Sequence, residues 1–370
     1  MKDLEILRGE PAVRALVDEI GREAAGIGRP LQLMEVCGTH TMTVYRNGLG
    51  PVLRRLGVTM ISGPGCPVCV TPDSTISAAA SLVREHEGVI LASFGDMLRV
   101  PTSEGILMKL VPAARSEIRI VYSAEETLRL ARENPDRSVV FLAAGFETTI
   151  PSIAWVVREC VRRDVRNVFL LSAMKTVPAP LRAILSAGEV RLDGLIYPGH
   201  VSVIIGTHPY EFIPKEFGVP GAVAGFEPAD FLLGVLAVLQ QIRGRRPAVE
   251  NAYPRAVRAE GNPEAVRLIA ETLHPADAEW RGFGTIPQSG LLPPERFSAL
   301  ARFNPRTDAV WTHEGCRCGE VVRGLIAPEG CPLFARTCTP GRPLGPCMVS
   351  FEGACLIHAK YGKEVPGGQD

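Results

Sequence analysis

Between Leu31 and Arg243 the chain repeats one unit: a short apolar run, a corner rich in glycine or polar residues, then a stretch with helical spacing. That alternation marks strand–helix units that pack a parallel sheet between helices. The runs Leu31–Val36, Val58–Ser62, Val89–Ser93, Ile118–Tyr122, Val139–Ala143, Val168–Leu171, Gly194–Tyr197 and Ala222–Ala224 predict strands. They are largely apolar on both faces, as strands covered by helices on both sides are. Such units close into a barrel or form two open sheets. The echo of Ala144-Gly145-Phe146-Glu147 in Ala224-Gly225-Phe226-Glu227, each after an apolar strand, hints at duplication and so at two sheets.

The chain divides into an N-terminal helical stretch at 1–30, an α/β domain at 31–125, a second at 126–246 and a cysteine-rich domain at 247–370. With 370 residues and 46% apolar content, each has material for a core. Past Arg246 the prolines at 247, 254, 263, 275, 287, 293 and 294 break the rhythm. No further strand is expected there, and one helix over Glu264–Leu273 is.

Lys plus Arg and Asp plus Glu both total 40, so no net field draws nucleic acid or anionic lipid. The start, Met1-Lys2-Asp3-Leu4-Glu5, is charged and leads into Val13, Leu16, Val17 and Ile20 at helical spacing, unlike a signal peptide. Apolar runs such as Phe231–Leu239 fall short of the roughly 20 residues a membrane helix needs. A cytoplasmic protein with reduced thiols, no membrane and no nucleic-acid partner is the expectation.

The cysteines are not scattered. Cys316, Cys318, Cys331, Cys338, Cys347 and Cys355 crowd a stretch of 40 residues, and Cys37, Cys66 and Cys69 follow two early strands. Cys160, inside apolar Ile153–Val161, reads as a packed core residue. Thr71 as cap and Pro72 as first residue predict a helix just after Cys66-Pro67-Val68-Cys69, with Ile76, Ala79, Ala80 and Val83 as its buried stripe. A helix N-terminus lowers a thiol pKa and favours attack or metal ligation.

Cys37 opens Cys37-Gly38-Thr39-His40 at the end of the first strand. Ligands in open parallel sheets gather at the carboxyl ends of strands, so Cys37 and the Cys66/Cys69 pair face one crevice. His40, one turn on, is the candidate base, ligand or proton donor. A lone CxxC also fits thioredoxin-type exchange, although that fold carries the motif inside the first turn of its helix. Structural zinc needs a second pair. Helix capping or solvation is the leading reading for Asp96, Glu147, Glu227, His200 and His208 near other strand ends, and support behind the ligands of a bound metal or contact with a partner is the other.

In the C-terminal group, Cys316, Cys331, Cys338 and Cys355 form a four-thiolate subset. Cys318 and Cys347 remain as a redox couple, alternative ligands or packing residues. Loops rich in glycine and proline suit a cluster whose sulfides take backbone amides, and the spacing is looser than zinc knuckles, which favours iron–sulfur over zinc.

Met34-Glu35-Val36-Cys37-Gly38-Thr39-His40, Ser62-Gly63-Pro64-Gly65-Cys66-Pro67-Val68-Cys69, Tyr197-Pro198-Gly199-His200-Val201-Ser202, Gly225-Phe226-Glu227-Pro228 and Cys316-Arg317-Cys318-Gly319 resemble signature segments of the HypD family of hydrogenase maturation factors. The resemblance runs from about Leu31 to Ala359. It implies two Rossmann-like α/β domains and a third domain holding a [4Fe-4S] cluster. It also implies a scaffold for the Fe(CN)2CO group of [NiFe] hydrogenase, working with a HypC-type chaperone and taking cyanide from a HypE-type carrier. On that reading Cys37, Cys66 and Cys69 are the iron and thiol positions, and Cys316, Cys331, Cys338 and Cys355 hold the cluster. Cys37 would ligate iron, Cys66 and Cys69 would ligate it or toggle to a disulfide, and His40 would donate a proton or orient Cys37. The competing reading is an iron–sulfur thiol/disulfide reductase similar to ferredoxin:thioredoxin reductase.

Overall fold

The computed structural model describes residues 11–102, 105–307 and 313–362; the charged start Met1–Glu5 lies outside them. The main strands are β1 (Leu31–Glu35), β2 (Val58–Ser62), β3 (Val89–Ser93), β4 (Glu117–Ile120), β5 (Ser138–Gly145), β6 (Val168–Met174), β7 (Gly194–Pro198), β8 (Gly221–Ala224), β9 (Val249–Asn251), β10 (His274–Trp280) and β11 (Gly284–Leu292). Two open parallel sheets form, ordered β9–β8–β7–β1–β2 and β4–β3–β5–β6. A barrel is therefore excluded, and both sheets have the Rossmann-like parallel pattern.

Sheet membership does not follow the expected division at 125/126. The chain lays down β1 and β2, builds the whole second sheet, and returns to add β7, β8 and β9 beside β1. The reason is physical: a parallel neighbour is reached by any crossover longer than about a dozen residues, so local sequence carries no record of which strand pairs with which.

Within β1, side chains alternate between two cores. Leu31 and Leu33 face the helices Pro11–Ile27 and Pro228–Gly244, packing with Val13, Ile20, Phe231, Val235 and Val238. Met34 and the following Val36 face a second core shared with β3, β5, the Cys66–Val70 turn and the C-terminal segment. A third core, on the far face of the second sheet, holds Ile153, Val157, Phe141 and the buried Cys160, as its apolar surroundings predict. Complete burial of each such side chain contributes roughly 1.5–3 kcal/mol.

Two local expectations are corrected. Strands continue past Arg246: β9 closes the first sheet, and β10 and β11 form an antiparallel hairpin with a bulge between Ala276 and Ala278. Its exposed, polar, proline-bearing strands lack the apolar signature, but Trp280 anchors them, 1% exposed and donating to Ser289 Oγ at 2.8 Å. The expected helix is present just before the hairpin as Pro263–Thr272. Thr71 is not an N-cap, because Pro67–Val70 forms its own helical turn and the Thr71 hydroxyl donates back to Pro67 O at 2.7 Å. The following helix runs Asp73–Glu85.

Candidate thiol site at the sheet switch points

In the first sheet β1 is followed outward by β2, while β7 and β8 proceed the other way. The carboxyl ends of β1 and β7 therefore flank a topological switch point, where parallel sheets leave a crevice. Cys37 follows β1 and His200 follows β7. Cys37 Sγ lies 3.7 Å from His200 Nε2 and 4.0 Å from Nδ1.

Cys37 is 2% exposed, and burial followed by the nearby Glu352 carboxyl pushes its thiol well up. Burial lowers His200 to about 4, so the ring is neutral near pH 7. Glu35 accepts the Cys37 N–H at 2.9 Å and also the Thr41 hydroxyl; burial pushes this carboxyl up to about 8 against those bonds.

His40 lies elsewhere. Its Nε2–H donates to Ala224 O at 3.2 Å and Gly225 O at 3.0 Å, and the ring contacts Phe226 and Phe231. Burial and the neighbouring His200 lower it to about 4. His40 thus ties the Cys37 helix to the end of β8, and the histidine that lies beside the Cys37 sulfur is His200. The Pro198-Gly199-His200 corner directly after a strand was the available signal for His200, whereas helix spacing pointed to His40.

Cys66 and Cys69 form a disulfide, with Cα atoms 5.2 Å apart, and Cys66 Sγ also accepts the Cys69 N–H at 3.2 Å. The motif therefore sits on the first turn of a short helix, and in this state the two sulfurs hold each other rather than a metal. Among the described residues no three of His, Cys, Asp and Glu converge tightly enough for a single metal ion. The Cys66 loop still packs back to back with Cys37: Gly38 N–H donates to Gly65 O at 3.2 Å, and a Cβ on Gly65 would stand 2.3 Å from Cys37 N.

A narrow pocket joins this station to the C-terminal cysteines. Gly65, Cys66, Cys69, Cys347 and Glu352 line it together. Glu352 packs on Gly38, where a Cβ would meet its backbone at 2.4 Å, and burial then Asp96 push its carboxyl up to about 7. Ser350 Oγ donates to Asp96 Oδ2 at 3.0 Å, so the same segment reaches the second sheet's switch point beyond β3. Neither Cys347, in the one-turn helix Pro346–Val349, nor Glu352, in the turn after it, carries a sequence signal for this position.

The six C-terminal thiols form one set. Cys318 interacts with Cys316, Cys347 and Cys355, and Cys316 Sγ lies 3.3 Å from Cys318 Sγ. Cys338 lies within electrostatic reach of Cys316 and Cys331, and Leu344 N–H donates to its sulfur at 3.3 Å. Gly345 leaves room a side chain would fill: a Cβ there would stand 2.7 Å from Cys318 Sγ and 3.0 Å from Cys316 Sγ. A cavity of about 260 Å3 opens beside Cys316, Cys318 and Gly345. Soft thiolates, a backbone amide on sulfur and a side-chain-free wall fit an iron–sulfur group.

The fold and site define a class: an α/β protein with two parallel sheets, whose cysteine-rich C-terminal segment packs on a thiol site at the first sheet's switch point and reaches the second sheet through Ser350. The sequence model of the HypD family, described as "Hydrogenase formation hypA family", matches residues 11–362. Relatives named "Hydrogenase maturation factor HypD" are 42% identical in Rhodobacter capsulatus over 98% of both chains and 40% identical in Cupriavidus necator over 99% of both. The Escherichia coli K12 protein of that name is 40% identical over 98% of this chain and 99% of its own. The chain belongs to the HypD family of hydrogenase maturation factors. Among the described residues no helix is long and apolar enough to cross a membrane.

Proposed function

We propose that the chain is a scaffold on which iron bearing cyanide and carbonyl ligands is assembled for [NiFe] hydrogenase, with a HypC-type chaperone contributing to the iron site and a HypE-type carrier delivering cyanide. The observation that carries this reading is the meeting of Cys37 and His200 at the switch point, with the Cys66/Cys69 pair backed against them. A buried neutral thiol is a poor nucleophile, but an iron cation arriving at it favours the thiolate and releases the proton. His200 Nε2, 3.7 Å away, is placed to take that proton. Glu35 fixes the Cys37 backbone through its N–H.

Cys316, Cys331, Cys338 and Cys355 would hold a [4Fe-4S] cluster, which when bound supplies single electrons. Cys66 and Cys69 take up two electrons and two protons when their disulfide opens to two thiols. Cys347, which lines the pocket with them and interacts with Cys318, is placed to exchange thiols with the pair. That adjacency also favours the second reading, a disulfide reductase.

Anaerobic purification with metal analysis and infrared spectroscopy tests the proposal. Bands of bound cyanide and carbonyl are expected in the complex with the chaperone. Cys37→Ala should abolish iron retention and leave the cluster's visible absorption intact. Loss of both together would show one shared centre, and turnover of protein disulfides without any cyanide band would establish the reductase instead.

A further inference from the structure

A groove of about 940 Å3 lies on the far side of β2, walled by Thr59, Met60, Ile61 and Ser62 and, opposite them, by Leu325 and Ile326. β2 is the edge of the first sheet. Leu31 N–H donates to Gly57 O at 2.8 Å and Gly63 N–H to Glu35 O at 2.8 Å. That phase turns the backbone groups of Thr59 and Ile61 toward β1 and those of Met60 and Ser62 away from it. Among the described residues neither Met60 nor Ser62 has a backbone partner on the outer side.

Native sheets usually cover or charge such an edge, because unpaired N–H and C=O groups template another strand. Here Gly324 closes only one end, where a Cβ would stand 2.8 Å from Ile61 Cγ2 and 3.6 Å from Ser62 O. The floor is firm: buried His358 bonds Glu329 Oε1 through Nδ1 at 2.8 Å and lies against Tyr45 with ring centroids 3.9 Å apart.

Charge selects what can enter. Glu189 and Glu329, the carboxylates of the lining, are already engaged by Arg323 and His358. Arg46, Arg54 and Arg191 also line the groove and are exposed, and Arg46 and Arg191 make no ion pair among the described residues. We infer that this groove docks an extended acidic segment of a partner protein, which adds to the five-stranded sheet beside β2. Its backbone pairs with Met60 and Ser62, alternate side chains pack on Leu325 and Ile326, and its carboxylates meet the three guanidinium groups. The inference stands on the sheet edge and does not depend on the iron chemistry proposed above.

The test uses the full chain against short overlapping peptides that cover the other hydrogenase maturation proteins and the hydrogenase large subunit of the same organism. Acidic peptides with alternating apolar residues should bind and slow amide exchange over residues 58–62. Arg191→Glu should weaken the best binder by roughly tenfold or more. Met60→Pro removes the outward donor and a half-buried side chain and should abolish binding, whereas Met60→Ala, which loses the side chain alone, should still bind. The inference is overturned if no peptide binds, if basic peptides bind better, or if affinity survives both Arg191→Glu and Met60→Pro. It also fails if peptides bind only after removal of residues 363–370, which would make the chain's own end the occupant.

Discussion

Glu147 is a carboxyl held almost away from water, 4% exposed, accepting the Val177 N–H at 2.9 Å. Burial pushes it up to about 7, although hydrogen bonds oppose the shift. Between the ordinary carboxyl range and pH 7 the folded protein keeps a proton that the unfolded chain has released. The folded state then binds more protons, so stability is greatest below the unfolded pKa and falls as pH rises through that window. The loss amounts to about 3 kcal/mol. Glu147→Gln, which cannot ionise, should reduce the fall of urea-denaturation stability between pH 5 and 7, with Glu35 and Glu352 keeping the rest. An unchanged slope would place the pH dependence in other carboxyls.

Strand–helix elements were legible because each is written in its own residues. All eight expected strands are present, with ends displaced by a few residues at most. Their order in the sheets was not, since nothing local distinguishes β7 from β3 as the neighbour of β1. The Cys66–Cys69 pair was legible from spacing, whereas His200 at Cys37 depends on β1 and β7 being adjacent. The polar hairpin escaped because ladder bonds and one tryptophan replace an apolar pattern. The closeness of the two thiol loops was written only in Gly65, whose φ is not positive and whose role is close approach. Gly65→Ala would set a Cβ 2.3 Å from Cys37 N and 2.4 Å from its Cα, against backbone that cannot swing aside. A loss of about 3 kcal/mol is expected, at the upper end of overpacking costs. Denaturant titration checks it, and a midpoint equal to wild type would mean that the loops separate freely.

At the scale of the whole molecule, the segment beyond Arg246 is what joins the switch points. Its hairpin delivers Arg281, whose N–H donates to Val70 O at 2.8 Å and whose guanidinium reaches Thr71 O at 2.9 Å and Asp73 Oδ1 at 2.6 Å. Arg281 and Asp73 side chains are 10% and 13% exposed, so this pair is shielded from solvent and salt. The hairpin thus clamps the turn carrying Cys66 and Cys69 at Val70 and Thr71, while Ser350 and Glu352 fasten the neighbouring strand ends. Arg281→Ala keeps the backbone bond to Val70 but takes the guanidinium away from a shielded Asp73, which is expected to cost up to about 3 kcal/mol. With the clamp loosened, the Cys66–Cys69 disulfide should open faster to a limiting dithiol reagent, followed by alkylation and mass mapping. Arg281→Lys restores charge without the fork and should recover part of the stability but not the Thr71 contact. An unaltered opening rate in Arg281→Ala, with the stability loss present, would show that the hairpin supports the fold without governing the thiol turn.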